Sequence, residues 1–292
     1  MKKFLIALIC LCLLLTVGGC GEGNIKESRL IEGSVEYTVE NLPKLCVTEL
    51  TKNQGVNLVS AVLGVDTEAA EKFIVICDTT DDCYLKLADG ECDIVIAHHF
   101  GKAVTQKLTE VSLTLNETEL QKDALVFITN GKVGVNDLTL EQLTALFKGE
   151  TVNWNALGGA DLAVTLFGGS DKSATENAFE KHISPEITVP AVTKTIVTEN
   201  GEYFTEIDYD NRDGAVGYTL LSLAGNYNGN SIKPLSVDGV APTYETVQSG
   251  QYTLTIPINV SIRSTEAEDS NIKILYNWII SEQGRAVAGL FY

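Results

Sequence analysis

The stretch GGSDKSATENAF, residues 168–179, has the residue types of an anion site at the start of a helix. Ser173 can accept a bond from the first turn, and Glu176, three residues later, can return one, which is the spacing of a capping box. A capped helix start attracts anions because its free N–H groups and its dipole are positive. No arginine lies near this stretch in the sequence. Residues 168–179 therefore predict the shape of an anion site without the usual cation.

Cysteine and histidine residues form a second group that could do chemistry. The cysteines beyond residue 40 are Cys46, Cys77, Cys83 and Cys92. An even number in an exported protein permits disulfides, and the sequence does not choose among the three full pairings. Cys46, Cys77 and Cys83, together with His98 and His99, could bind zinc or copper, which makes a metal-binding protein one alternative. Because neither C-x-x-C nor H-x-x-x-H occurs, we favour buried thiols or one disulfide, with no metal.

Motifs of hydrolytic enzymes are missing from the sequence. It contains neither G-x-S-x-G nor H-E-x-x-H. Residues 270–273, SNIK, match S-x-x-K, but the companion S-D-N and K-T-G motifs do not occur, so the match is attributed to chance. We therefore predict that the protein is not an enzyme and holds no cofactor.

The first twenty residues, MKKFLIALICLCLLLTVGGC, have the pattern of an export signal. Two lysines precede an apolar run that is short for a membrane span, and small residues precede Cys20. The ending TVGGC resembles a bacterial lipobox, in which the cysteine is lipidated after cleavage. We predict a signal peptide at residues 1–19 and a polar tether at residues 20–35. Two acyl chains on Cys20, palmitate included, would hold the protein on the outer face of the membrane. The alternative is an ordinary signal peptide with a chance cysteine.

The charge balance excludes several classes of partner. Removal of residues 1–19 takes away two lysines and no acidic residue, which leaves 19 basic and 39 acidic residues and a net charge of −20. Such a chain repels nucleic acid and anionic lipid. It also repels small anions at long range, so any anion site must work through local contacts.

Apolar strand patterns alternate with helical patterns along the chain. Residues 73–78, FIVICD, and 92–99, CDIVIAHH, are continuous apolar strands between helices, which is typical of a parallel sheet covered on both faces. Thr139 and Gln142 have capping-box spacing, and residues 270–291 predict one final helix or a pair. The pattern indicates the α/β class.

Several segments resemble, in the same order, the phosphate-binding proteins of bacterial ABC importers. The later ones are DLTLEQLTALFKGETVNWNALGG (137–159), DGAVGYTLLS (213–222), VDGVAPTYETVQSGQYTLTIPINVSIR (237–263) and NWIISEQGRAVAGLFY (277–292). The earlier ones are LPKL (42–45), VLGVDTEAAEKFIV (62–75) and DGECDIVIA (89–97). The resemblance covers nearly all of residues 40–292.

The resemblance implies a fold and a function. The fold is the two-lobed periplasmic-binding-protein (type II, flytrap) fold with two interlobe crossings. Lobe 1 would comprise residues 36–120 and 242–292, and lobe 2 residues 121–241. The function would be that of an extracytoplasmic, lipid-anchored, monomeric solute-binding protein that takes phosphate or another small solute into the interlobe cleft and presents it to an ABC permease. The alternative is a non-transport sensing or interaction module.

The resemblance also implies ligand-binding positions. The family holds phosphate by N–H groups and hydroxyls at helix starts, by an arginine and by a buried carboxylate. In this sequence, Asp93 occupies the position of that carboxylate. The remaining positions carried over are Thr48 and Glu49 in the first loop, Thr80 and Asp81 in the second, and Ser173 and Thr175 at the helix start.

Two departures from the family bear on the ligand. Gly169 occupies the position of the family's arginine, and Glu49 and Asp81 add negative charge. We therefore predict that phosphate binds weakly or not at all. The family's strand placement further predicts that Cys46 and Cys77 lie close together, with Cys92 at the opposite edge of the sheet.

Overall fold

The computed structural model describes residues 35–169, 171–183, 192–195, 213–225 and 232–289. The predicted signal peptide, Cys20 and almost all of the predicted tether lie outside these residues. Within the described ranges, every helix is too short or too polar to span a bilayer.

Strands and helices alternate through most of the described chain. The strands are β1 Leu45–Thr48, β2 Ile74–Cys77, β3 Ile94–His98, β4 Leu115–Asn130, β5 Asp137–Leu138, β6 Thr165–Gly168, β7 Val192–Thr195, β8 Ala215–Leu220, β9 Ile232–Pro234, β10 Ser236–Val237 and β11 Thr255–Arg263. The helices are α1 Lys52–Leu63, α2 Thr67–Glu71, α3 Thr80–Ala88, α4 Lys102–Glu110, α5 Leu140–Phe147, α6 Ala174–His182, α7 Leu221–Ala224, α8 Tyr244–Gln248, α9 Asn271–Ile280 and α10 Glu282–Ala288.

Nine of the described strands form one mixed sheet. Its order is β2-β1-β3-β11-β4-β8-β6-β7, and β9 pairs with β4 outside this path. The β2-β1-β3 and β8-β6-β7 groups are parallel, whereas β11 is antiparallel to both β3 and β4. Parallel strands joined through helices produce the continuous apolar strands seen in the sequence. The predicted α/β class is confirmed.

The long strand β4 divides the molecule into two halves. Its first part pairs with β11 and its last part, from Leu125, pairs with β8. One hydrophobic core packs β1–β3, α1 and the C-terminal helices, which we call the first half, and another packs α5, β6, α6 and β8, the second half. Tyr252 and Leu254 belong to the second core. The chain therefore returns to the first half at β11, later than the predicted boundary at residue 242.

Local sequence signals account for several element boundaries. Thr139 accepts a bond from the Gln142 N–H while the Gln142 side chain accepts one from the Thr139 N–H, so the predicted capping box is present. Gly64 ends α1 with φ of 66°, a conformation that glycine adopts without steric cost. The predicted final helix is a pair, because Ser281 takes an extended conformation and caps α10.

Candidate functional site

Three loops of the first half meet at one edge of the sheet. The register pairs Thr48 with Cys77 and Val47 with Ile96, so the carboxyl ends of β1, β2 and β3 lie side by side. Helix α3 starts at this edge, capped by the Thr79 hydroxyl, which accepts the N–H of Asp82. Thr80 follows the cap and is fully buried. Its Oγ1 has no hydrogen-bond partner among the described residues, which is unusual for a buried hydroxyl.

Helix α6 of the second half supplies the other side of the site. Strand β6 leads into it, and the Ser173 hydroxyl caps it by accepting the Glu176 N–H at 3.1 Å. The predicted cap is therefore confirmed. The predicted return bond is wrong, because the Glu176 carboxylate instead accepts the Tyr218 hydroxyl at 2.6 Å. Burial raises the pKa of Glu176 to about 7, helped by the charges of Glu180 and Asp171 and opposed by the Tyr218 bond.

Asp81 joins the two helix starts. Its Oδ1 accepts the Gly101 N–H at 2.9 Å and the Asn177 Nδ2–H at 3.0 Å, and its own N–H donates to the Lys172 carbonyl. Asp81 is 1% exposed, and burial raises the pKa of its carboxyl. We call Asp81, Gly101 and Asn177 the interhalf bridge, since Asn177 lies in α6 and the other two lie in the first half.

The turn before α6 has an unusual backbone and little space. Lys172 adopts φ of 65°, in the left-handed region that favours glycine. A Cβ on Gly169 would lie 3.2 Å from Glu176 Oε2 and 3.5 Å from the Glu176 N. Any side chain at position 169 would therefore project beside the Glu176 carboxyl.

The first predicted ligand loop, which carries Thr48 and Glu49, bonds mainly to other residues of the first half. Thr48 is buried, and its N–H donates to Thr51 Oγ1, whose hydroxyl in turn donates to the Ile96 carbonyl at 2.6 Å. The Glu49 side chain is 57% exposed and lies 3.9 Å from the Lys52 ammonium. Thr48 thus lies at the shared sheet edge, whereas the charge of Glu49 faces solvent.

Asp93 does not join the other predicted ligand residues. It precedes β3, and one carboxylate oxygen accepts the Lys44 N–H at 2.9 Å while the other accepts Arg263 Nη2 at 3.0 Å. Because β1 and β3 are parallel, this position is at the amino end of the strands, opposite the edge that carries Thr48. The sequence prediction for Asp93 is corrected on this ground.

The structure adds residues that the sequence analysis did not assign to the site. Gly101 and Asn177 complete the interhalf bridge, and a Cβ on Gly101 would collide with the Asn177 side chain. Asn177 lies one helical turn after Ser173, which was the available signal for a polar side chain on the same face. Beside the bridge is an open pocket of about 370 Å³. Its lining includes His99, Phe100, Lys102 and Lys181.

A buried network lies where the halves join. Asp123 Oδ2, on β4, is 3.0 Å from His98 Nε2 and accepts the Ser222 hydroxyl at 2.6 Å. All three side chains are almost fully buried. Burial opposes the ionisation of Asp123, yet the bonds from His98 and Ser222 prevail and lower its pKa.

The four cysteines form one buried group in the first half. Cys46 and Cys77 are in contact, as predicted. Cys92 precedes β3 at the amino end of the strands, which is the opposite edge from Cys77, as predicted. Its buried side chain belongs to the same hydrophobic cluster as Cys46. Among the described residues, no three His, Cys, Asp or Glu side chains are arranged to hold a metal ion.

Comparison with known proteins supports the resemblance seen in the sequence. The chain is 24% identical over 187 residues to the phosphate-binding protein PstS of Borreliella burgdorferi and 31% identical over 123 residues to that of Bacillus subtilis. These matches span 61% and 42% of this chain. They span 65% and 39% of the relatives, which is less than two thirds of the length of either.

Solved structures show the same fold. An ABC-type phosphate transport receptor from Vibrio cholerae superposes with a TM-score of 0.65 at 22% identity, and PstS from Borrelia burgdorferi with a TM-score of 0.53 at 17% identity. Each comparison covers 84% of this chain and 96% of the other. The sequence also matches the PBP superfamily domain over residues 54–283, most of its length. The chain therefore belongs to the PBP superfamily domain family.

Proposed function

We propose that this protein is the solute-binding component of a phosphate-type ABC import system. It works outside the cytoplasm, anchored by lipid on Cys20, and delivers a small solute from the cleft between its halves to a membrane permease. Its relatives in Borreliella burgdorferi and Bacillus subtilis are named phosphate-binding proteins, which supports this assignment.

The observation that carries the proposal is the meeting of two helix starts from opposite halves. The amino ends of α3 and α6 are linked by the bond from the Asp81 N–H to the Lys172 carbonyl. Two convergent helix dipoles create a positive potential and present free N–H groups, which suits an anionic or polar solute. Closure of two halves on a ligand is the motion that transport proteins of this kind use to signal occupancy.

We propose Thr80, Ser173 and Thr175 as the hydroxyl residues of the site. Thr80 supplies the buried hydroxyl without a partner among the described residues, and Ser173 and Thr175 are buried at the start of α6. Thr48 borders the same edge. Asp81 and Glu176 add two carboxyl groups, and Gly169 contributes no cation, so a dianion meets more negative charge here than positive.

This charge balance predicts weak phosphate binding. A hydrogen bond to a charged partner contributes roughly 1.5–3 kcal/mol. Loss of one such bond weakens binding about ten- to a hundredfold, because 1.4 kcal/mol corresponds to one decade. A monoanion, a zwitterion or a neutral polar solute fits the site better than a dianion does.

Isothermal titration of the chain without residues 1–19 tests the proposal. Phosphate, sulfate and a panel of small polar solutes are titrated into wild type and into the double variant Gly169→Arg with Glu176→Gln. The second substitution removes the carboxyl that would otherwise pair with the new guanidinium. We expect phosphate affinity to rise at least tenfold in the double variant.

Val152→Arg with Glu176→Gln is the matched control, because it makes the same two changes in charge but places the arginine at a side chain that is 69% exposed. This control should leave phosphate affinity unchanged. An unchanged affinity in the double variant, or an equal gain in the control, would show that the site is wrongly placed. Mass spectrometry of membrane-extracted protein tests the anchor and should show a diacylglyceryl group on Cys20. In a second test, the Cys20→Ala variant should be released from the membrane.

A further inference from the structure

The carboxyl group of Glu176 is largely buried, and its surroundings carry no positive charge. Its Oε2 accepts the Tyr218 hydroxyl at 2.6 Å, and the two charges that act on it, those of Glu180 and Asp171, are both negative. Among the described residues, no lysine, arginine or histidine forms an ion pair with it. Buried carboxylates are usually paired with a cation, because burial alone opposes ionisation. A positive charge that the described residues do not provide would therefore stabilise this group.

Gly169 leaves space for such a charge. A Cβ at this position would lie 3.2 Å from Glu176 Oε2 and 3.5 Å from Thr175 Cγ2, so the carboxyl group and Thr175 border the same space. A separation of 3.2 Å is close for a carbon atom, but it is within the range of a nitrogen that donates a hydrogen bond to oxygen. An ammonium group that enters this space can therefore bond to the carboxylate, and such charge-assisted bonds are the strong ones.

The positive end of α6 lies next to this space. Thr175 belongs to the first turn of α6 and is 6% exposed. The Lys172 carbonyl, just before the helix, accepts the Asp81 N–H, which brings the start of α3 and the buried Thr80 to the same place. Helix starts stabilise negative charge through their N–H groups and their dipole. Surroundings that favour an anion and a carboxyl group that favours a cation are therefore side by side.

We propose that the solute is a small zwitterion, whose anionic group meets the starts of α3 and α6 and whose ammonium group donates to the Glu176 carboxylate beside Gly169. The inference rests on the proposed function, because it takes the region between the halves as the place where the solute binds. It extends that function by naming the class of solute, a molecule that carries a phosphoryl or carboxylate group and a cationic nitrogen. Glu176 is then a residue that determines specificity.

The charge of the whole chain agrees with this class of solute. Without residues 1–19 the chain has a net charge of −20, which repels a phosphate dianion at long range. A simple cation is attracted at long range but meets the positive helix starts in the site. A zwitterion has little or no net charge, and each of its two groups meets the opposite charge in the site.

Occupancy of the site is linked to the ionisation of Glu176. Burial raises the pKa of its carboxyl to about 7, with the charges of Glu180 and Asp171 acting in the same direction and the Tyr218 bond opposing them. A bound ammonium group stabilises the charged form and so lowers this pKa. The preference for a ligand with an ammonium group therefore increases as pH rises through 7.

Two pairs of ligands that differ only by the ammonium group test the proposal. They are 2-aminoethyl phosphate with ethyl phosphate, and β-alanine with propionate, each titrated calorimetrically at pH 8 into the chain without residues 1–19. In one pair, we expect the zwitterion to bind about ten- to a hundredfold more tightly, the effect of one hydrogen bond to a charged group. The pair that responds identifies the anionic group. Equal affinities within both pairs, or no binding of either zwitterion, overturn the proposal.

Glu176→Gln tests the residue, because it removes the charge and keeps an oxygen for the Tyr218 hydroxyl. The preference for the zwitterion should disappear in this variant. Glu180→Gln is the matched control, since it removes the same charge one turn later in α6, where the carboxylate lies 3.3 Å from the Lys102 ammonium. The control should keep most of the preference. A preference that survives in Glu176→Gln, or an equal loss in the control, contradicts the role assigned to Glu176.

The ratio of the two affinities within a pair gives a further test. In wild type it should fall from its value at pH 8 to near one at about pH 5.5, because Glu176 is protonated there. Titration of the shared anionic group or of other protein groups affects both ligands and cancels in the ratio. A ratio that stays constant with pH would assign the preference to another residue.

The outcome is separable from that of the proposed function. The gain of phosphate affinity in the Gly169→Arg, Glu176→Gln double variant needs no ammonium group. If that gain occurs and wild type shows no preference for a zwitterion, the site is placed correctly and the zwitterion is refuted. If neither result is seen, the placement of the binding site itself is refuted.

Discussion

Glu176 is the residue at which burial most changes the charge of the site. Its carboxyl is buried beside Gly169 and bonded to Tyr218, and its pKa of about 7 makes it partly protonated near neutral pH. In the unfolded chain the same group titrates near 4.5. The site therefore carries one negative charge less below neutral pH than its sequence indicates.

We predict that Glu176→Gln removes part of the pH dependence of stability. Below pH 4.5 the Glu176 carboxyl is protonated in both the folded and the unfolded state, and wild type has the full stability that this group allows. The protein loses that stability as pH rises through the folded pKa of about 7. At 1.36 kcal/mol per pKa unit, the loss is at most about 3 kcal/mol. Urea unfolding between pH 4 and 8 measures it. The control is Glu141→Gln at an exposed position, whose stability should change with pH as that of wild type does. If Glu176→Gln lost as much stability with rising pH as wild type, the raised pKa would not belong to Glu176.

We predict that Asp81→Ala destabilises the protein more than Asp81→Asn does. Alanine leaves the Gly101 N–H and the Asn177 amide without an acceptor, which costs about 1–3 kcal/mol. Asparagine retains one oxygen that can accept both bonds. Urea unfolding at constant pH compares the two variants. Equal free energies of unfolding would show that the interhalf bridge contributes nothing.

At the scale of elements, the start of α6 combines a good cap with a strained residue before it. Ser173 satisfies the first turn, yet Lys172 holds φ of 65°, where a side chain is disfavoured. The Lys172 carbonyl accepts the Asp81 N–H, so the strained conformation is tied to the contact between the halves. Strain of this kind persists where surrounding contacts enforce it.

We predict that Lys172→Gly stabilises the protein by roughly 0.5–1 kcal/mol, because glycine adopts positive φ without steric cost. Lys148, the residue after α5, is the matched control, since its φ is −74°. Lys148→Gly should destabilise by roughly the same amount, because glycine only adds freedom to the unfolded chain there. Thermal unfolding of both variants measures the difference. A loss of stability in Lys172→Gly would show that the lysine side chain matters more than its backbone.

At the scale of the whole molecule, the halves are coupled by β4, β11 and the buried group around Asp123. The carboxylate joins His98 of the first half to Ser222 of the second. The lowered pKa of Asp123 means that its contribution is present above the unfolded pKa of 3.8 and is lost as pH falls through the folded value. Acid therefore weakens the junction between the halves.

We predict that Asp123→Ala costs about 3–5 kcal/mol, since it removes the buried carboxylate that contacts His98 and accepts the Ser222 hydroxyl. It should also separate the unfolding of the two halves. The two tryptophans report on them independently, because Trp154 lies in the second core and Trp278 in the first. Single-tryptophan variants made by Trp→Phe substitution, followed in urea, should show one midpoint in the wild-type background and two in the Asp123→Ala background.

Asp89→Ala is the control for this experiment. Its carboxylate pairs with Lys107 at the surface, where an ion pair contributes at most about 1 kcal/mol. The two midpoints should coincide in this control. Coincident midpoints in Asp123→Ala as well would mean that the halves are coupled through the strands alone.

Local patterns in the sequence determined the α/β class, most elements and the helix caps. The Thr139–Gln142 box and the Ser173 cap were predictable because each bond joins residues three positions apart, within reach of a single helical turn. The parallel sheet was predictable because its strands are apolar on both faces. The ordered family segments extended these predictions to the overall fold.

Only the tertiary structure decided which partner each polar side chain takes. The Glu176 side chain was predicted to bond back to Ser173, three residues away, but it accepts the hydroxyl of Tyr218, 42 residues away. Asp81 bonds Asn177, 96 residues away. Asp93 bonds Arg263, 170 residues away, and this pair holds it at the far edge of the sheet. A buried carboxylate must find donors to offset desolvation, and which donors reach it depends on how distant segments pack. The sequence determines which buried carboxylates need a hydrogen-bond donor, and the packing of the two halves determines which residue provides it.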